Sequence, residues 1–179
     1  MADNSRKKKR KAVVDVLNKA RGMELQAIAQ YMNQHYGLDD MDYGELAKQI
    51  KLIALDEMRH AESFAERIKE LEGEPTTEKA GKVEREQEVE AVFPFDCEQE
   101  EDAINAYNEF AQVCRDNGDS TTAQLFDQVI DEEQEHLNYF DSVRGHIEKL
   151  GPAFLAQKAG TPSAANLNSP GFVTKQPAQ

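Results

Sequence analysis

The chain has 179 residues, with 34 acidic against 21 basic side chains and a net charge of −13, which is length enough for one domain with a substantial core. Such an acidic balance argues against nucleic acid as the main partner and suits a protein that attracts cations. No apolar run approaches the roughly 18 residues of a membrane span, no signal-peptide pattern is present, and the lack of any Cys-x-x-Cys pair excludes a zinc ribbon or a rubredoxin-like iron site.

Apolar residues recur at helical spacing in four long segments, without strand-like alternation, so the expected class is all-α. The first segment, about 5–37, carries Val13, Leu17, Ala20, Ile28 and Tyr31 on one face and is expected to stop at Gly37. The second, about 41–72, carries Leu46, Ile50, Ile53, Phe64, Ile68 and Leu71 and ends before Gly73 and Pro75. The third is expected to start near Asp96, an N-cap candidate just after Pro94, and to run to Asn117. The fourth starts at Asp119 or Ser120 and continues to Leu150, with Gly151 and Pro152 beyond it. Residues 152–159 suit a short fifth helix. Short connections make segments one and two, and three and four, antiparallel neighbours. The long stretch 73–95 must cross the bundle's length, giving two antiparallel hairpins joined by one long crossover. The expected division is a domain over 1–159 and a flexible C-terminal tail over 160–179, rich in Pro, Ser, Asn, Gly and Gln.

The chain repeats itself. Two Glu-x-x-His motifs, Glu57–His60 and Glu133–His136, lie 76 positions apart, and Glu24 and Glu100 each stand 33 positions upstream of the motif glutamate. The same shift of 76 maps Ala27, Ile28, Tyr31 and Phe64 onto Ala103, Ile104, Tyr107 and Phe140. Each of these Glu and His residues interrupts an apolar stripe that faces the bundle interior. Glu62, Glu66 and Glu70 instead follow one another on an outer, solvated face, where most glutamates belong.

Helical rise, about 1.5 Å per residue, brings all six groups to a similar height near the midplane. Four buried carboxylates without compensation would take up protons; two divalent ions balance them. Oxygen and imidazole donors suit non-haem iron or manganese. The expected metal set is therefore Glu24, Glu57, His60, Glu100, Glu133 and His136, with Glu57 and Glu133 bridging two ions. Tyr31 and Tyr107, two turns beyond Glu24 and Glu100, are candidates for supporting these groups or donating electrons; ordinary core aromatics are the alternative.

The segments "RGMELQAIAQYMNQHYGL" (21–38), "ALDEMRHAESFAERIKELEG" (54–73) and "GDSTTAQLFDQVIDEEQEHLNYF" (118–140) resemble bacterioferritin, over roughly residues 10–158. The stretch 82–96, containing Pro94, departs from the usual start of the third helix. The resemblance implies a ferritin-like four-helix bundle and a ferroxidase that oxidises Fe(II) with O2 or H2O2 at a di-iron centre of two Fe per subunit. It implies mineral storage in a cytoplasmic shell of 24 subunits built from twofold dimers, with one haem per dimer. By the same resemblance Met58 supplies an axial haem ligand; helical geometry turns it about 130° from the mean direction of Glu57 and His60, beside Leu52 and Leu55. A small electron-transfer protein would be a partner. A rubrerythrin-like peroxidase, or a non-enzymatic shell protein binding haem or DNA, are the rival readings. The basic run at 6–11 is the feature that a DNA contact would use. Cys97 and Cys114 lie 17 positions apart on one expected helix, about 25 Å, too far to bridge and consistent with a reducing compartment.

Overall fold

A computed structural model describes residues 2–161, and among them the chain forms helices α1 (Ala2–Asp40), α2 (Gly44–Glu70), α3 (Val89–Asp116), α4 (Ser120–Leu150) and α5 (Pro152–Lys158). α1 pairs with α2 and α3 with α4, and the two hairpins pack face to face through α1 and α3 and through α2 and α4. This is the expected all-α, ferritin-like four-helix bundle with a short C-terminal fifth helix. Residues 162–179, most of the expected tail, lie outside the described residues.

Two apolar clusters fill the bundle, one at each end. Leu38, Ile50, Phe93 and Phe140 anchor the first. Leu17, Phe64, Phe126 and Ala111 anchor the second. The repeat is visible in the packing: Tyr31 lies 5.5 Å from Phe140 between ring centres, and its counterparts Tyr107 and Phe64 lie 5.8 Å apart.

The helix ends follow local chemistry, with three departures from the sequence expectation. α1 runs through Gly37 to Asp40, because the fully buried Leu38 draws the next turn into the core and outweighs the roughly 1 kcal/mol that a helical glycine costs. α2 begins at Gly44 rather than near 41, after Asp42 has turned the chain with a positive φ of 63°. The largest departure is α3, which starts at Val89, so Pro94 lies inside the helix and Asp96 is not a cap. Pro94 removes one donor, leaving the carbonyl of Glu90, and Glu90 is exposed, so water can satisfy it. Burial of Val89, Val92 and Phe93 holds this first turn in place. At the other end Gly118, with φ of 78°, lets Asp119 N–H reach the Cys114 carbonyl at 2.9 Å. Asp119 then caps α4 by accepting from Thr122 N–H at 2.9 Å, worth about 1 kcal/mol. Arg67 of α2 donates to both Asp119 oxygens at 3.0 Å, tying the hairpins together.

The crossover between α2 and α3 has no helix of its own, yet α1 satisfies its backbone at several points along its length. α1 presents Asn18, Gly22, Gln26, Gln30 and Gln34 at intervals of four, one polar stripe down a helix. Asn18 donates to the Glu74 carbonyl and accepts from Thr76 N–H. The Gly22 carbonyl accepts from Ala80 N–H at 2.8 Å, a close approach that a Cβ at Gly22 would crowd, since it would lie 3.3 Å from the Glu78 oxygen. Gln26 donates to Lys82, Gln30 brackets Glu84 with two bonds, and Gln34 reaches the Gln87 side chain. α5 is held differently: Gly160 N–H bonds Asp42, and Thr161 bonds Gly44 and Glu45, so these two residues pack on the α1–α2 turn.

Candidate metal centre

Between the two apolar clusters, α1 and α3 each contribute one glutamate, and α2 and α4 each contribute a Glu-x-x-His. All six side chains are buried: Glu24, Glu57, His60, Glu100, Glu133 and His136. They form two overlapping groups of four, Glu24–Glu57–His60–Glu133 and Glu57–Glu100–Glu133–His136, in which one donor atom from each residue lies within 4.8 Å of the others. Glu57 and Glu133 belong to both groups, where bridging carboxylates would sit.

The arrangement has a local twofold symmetry that follows the repeat. His60 Nδ1 lies 3.0 Å from Glu57, 3.3 Å from Glu133 and 3.9 Å from Glu24. His136 Nδ1 lies 3.0 Å from Glu133, 3.2 Å from Glu57 and 3.9 Å from Glu100. Glu57 Oε1 is buried without a hydrogen bond, because its 3.2 Å approach to His136 is not aligned for one. An orphaned carboxylate oxygen aimed among three other acids and two imidazoles is a donor set that divalent cations fit.

Electrostatics say the same. Burial opposes charge on His60, yet the carboxylates of Glu133 and Glu57 beside it overcome that and push its pKa up to about 12. His136 responds in the same way, to about 9. Burial would raise Glu57, but the imidazoliums of His136 and His60 beside it win and lower it to about 2. Glu24 and Glu100 are held well above the usual carboxylate range, first by burial and then by the charges of Glu133 and Glu57. In the metal-free protein the imidazolium rings thus occupy the place of cations.

Tyr31 and Tyr107 are fully buried and brace the cluster crosswise. Tyr31 OH donates to Glu100 at 2.5 Å, and Tyr107 OH donates to Glu24 at 2.6 Å, each reaching from one hairpin to the other. Burial, then the charge of the bonded glutamate, raises both phenols well above their ordinary value. A cavity of about 250 Å³ runs from the crossover at Ala80, Gly81 and Lys82 down to Glu24, Glu57, Glu100 and Glu133.

Sequence reasoning missed two acids. Glu132 Oε2 lies 3.0 Å from His60 Nε2, and Asp56 Oδ2 lies 3.6 Å from His136 Nε2. The shift of 76 maps Asp56 onto Glu132, so the repeat already carried the signal. Asp96, expected as a cap, is instead wholly buried one turn before Glu100, accepting from Gln34 at 2.7 Å, with burial pushing its pKa well up. His35 and His146 stand apart from the cluster: His35 is buried against the Ala47 carbonyl, and His146 stacks on Phe154. Cys97 and Cys114 are free and buried.

Met58 faces away from the cluster, as its helical phase requires, and is 53% exposed. It lies in an open groove of about 720 Å³ between α1 and α2 with Leu25, Ile28, Leu55 and Ala65, flanked by Arg21 and Arg59. Leu52 and Leu55 extend the exposed apolar face.

Fold and cluster together define a helical-bundle protein of the di-metal carboxylate class. The family model for the ferritin-like domain matches residues 14–150. The bacterioferritin of Desulfovibrio desulfuricans is 58% identical over 178 residues, covering 99% of both chains. That of Brucella melitensis is 30% identical over 84% of this chain and 94% of its own. An X-ray structure of the D. desulfuricans bacterioferritin, which shows its di-iron site in different catalytic states, superposes with a TM-score of 0.90 at 57% identity, covering 93% of this chain and 98% of that one. Mycobacterium tuberculosis BfrA gives a TM-score of 0.78 at 32% identity over 82% and 93%. The chain belongs to the bacterioferritins, within the ferritin-like family.

Proposed function

We propose that this chain is the subunit of an iron-storing shell and a ferroxidase, oxidising Fe(II) at Glu24, Glu57, His60, Glu100, Glu133 and His136. Two ferrous substrate ions give up one electron each; O2 with two protons leaves as H2O2, or H2O2 with two protons leaves as two waters. The residues of the chain bind and orient the ions. Glu57 and Glu133, belonging to both groups of four, serve as bridges. His60 and His136 present Nδ1 to the centre, and Glu24 and Glu100 close each end under the tyrosine hydroxyls. The cavity beside the crossover is the route by which ions and oxidant reach the carboxylates. Tyr31, bonded to Glu100, holds that ligand in place and stands where it could donate an electron in place of one ferrous ion.

The observation that carries this reading is the pair of overlapping four-residue groups sharing two carboxylates. Glu57→Ala with Glu133→Ala should abolish rapid Fe(II) oxidation, followed by stopped-flow absorbance, while the particle remains assembled by gel filtration. Unchanged kinetics in that double variant would defeat the assignment.

As a bacterioferritin, the chain would assemble into a shell of 24 subunits built from twofold dimers. We assign haem to the groove around Met58, one per dimer. An exposed thioether among aliphatic side chains suits the iron and face of a porphyrin. A small electron-transfer protein would then reduce the haem for iron release. A cytoplasmic location accords with two buried free cysteines; among the described residues no helix is long and apolar enough to cross a membrane. The ferritin-like unit expected over 1–159 extends through Thr161, since Gly160 and Thr161 bond the α1–α2 turn, and the family match over 14–150 falls within it.

A further inference from the structure

The six central residues obey the internal symmetry, but the acids behind the two histidines do not. An imidazole that coordinates through Nδ1 must carry its proton on Nε2, and an acceptor there fixes both tautomer and ring angle. His60 has such an acceptor: Glu132 Oε2 at 3.0 Å. At His136 the corresponding acid, Asp56, lies 3.6 Å away, beyond a hydrogen bond.

The difference is written into the repeat. Asp56 is one methylene shorter than Glu132, and its Oδ1 is engaged by Arg59. The position matching Arg59 under the shift of 76 is Glu135, so no cation there draws Glu132 aside.

Building on the di-metal reading above, we propose that Glu132 is a positioning residue for His60, and that the two metal positions are therefore unequal. The position made by Glu24, Glu57, His60 and Glu133 fills first and holds its ion more tightly than the one completed by Glu100 and His136. Both rings face inward with equivalent contacts at Nδ1, so the inequality originates outside the ligand set.

The test is anaerobic titration of the metal-free, full-length shell with Co(II), read by its visible ligand-field bands. Wild type should show two distinguishable binding steps per subunit, about tenfold or more apart, the range over which such acceptors tune metal affinity. Glu132→Gln should weaken the tighter step by about 10–100-fold and change the band of the first ion, leaving the second step in place. Glu132→Asp, which copies the other half, should bring the two steps together. Glu135→Gln, an exposed change of the same charge, should do neither. Two equal steps in wild type, or identical behaviour of Glu132→Gln and Glu135→Gln, would overturn the positioning role while leaving the di-metal centre intact. Binding of fewer than two ions per subunit would overturn the centre itself, and the inference with it.

Discussion

Loading the centre with metal should expel protons, and the number follows from the environment of each group. At about pH 7 the metal-free site holds a proton on His60, raised to about 12, and on His136, raised to about 9. Glu24 and Glu100 favour their neutral forms because burial and the neighbouring carboxylates raise them well above their ordinary value. Glu57, lowered to about 2, is already ionised. Two divalent ions need both imidazoles with free Nδ1 and both outer glutamates as anions. Anaerobic addition of two equivalents of Fe(II) or Zn(II) should therefore release at least two protons per subunit, one from each imidazole. With at least one proton displaced per ion, apparent affinity should rise by about 10-fold or more per pH unit. A pH indicator in weak buffer counts the protons, and calorimetry in buffers of different ionisation enthalpy checks the count. Release of fewer than two protons, or an affinity indifferent to pH between about 6 and 8, would refute the picture of imidazolium rings standing where cations belong.

Three other outcomes are expected. The raised value of His136 stabilises the metal-free fold fully below the free imidazole value of 6.5, and this support, on the order of 3 kcal/mol, is lost as pH climbs through about 9; melting in the presence of a chelator should fall across that window, and a flat profile would contradict it. Tyr107→Phe and Tyr31→Phe each strip the donor from a buried carboxylate, so both should lower metal-free stability by about 1–3 kcal/mol in denaturant titration. Tyr31→Phe should also change the oxidation time course, and wild-type kinetics in that variant would remove Tyr31 from electron donation. Met58→Ala should eliminate the haem bands in the visible spectrum of the purified particle without slowing Fe(II) oxidation, and retained bands would place the porphyrin elsewhere.

Much of this architecture was readable before any coordinates. Glu24, Glu57, Glu100 and Glu133 could be told from Glu62, Glu66 and Glu70 because helical phase puts the first four on apolar stripes and the others on an outer face. Pro94 misled, since a mid-helix proline and a following Asp96 read locally as a start. Burial of Val89, Val92 and Phe93 overrides that signal, and such tertiary packing is invisible along the chain. The polar ladder of α1 was equally hidden: glutamines four apart look like a solvated face until a second strand of backbone lies across them. Asp56 and Glu132 were in reach, but adjoining acids in a chain with 34 of them attract no notice without the repeat as a guide.

The crossed tyrosines have a consequence for how the halves of the molecule depend on each other. Each hairpin lends a hydroxyl to the other's carboxylate, so neither half owns a finished binding position, and sliding one past the other breaks both links together. The hollow is thereby kept to the dimensions of an ion pair before any ion arrives, which spares the incoming metal the work of shaping its own container.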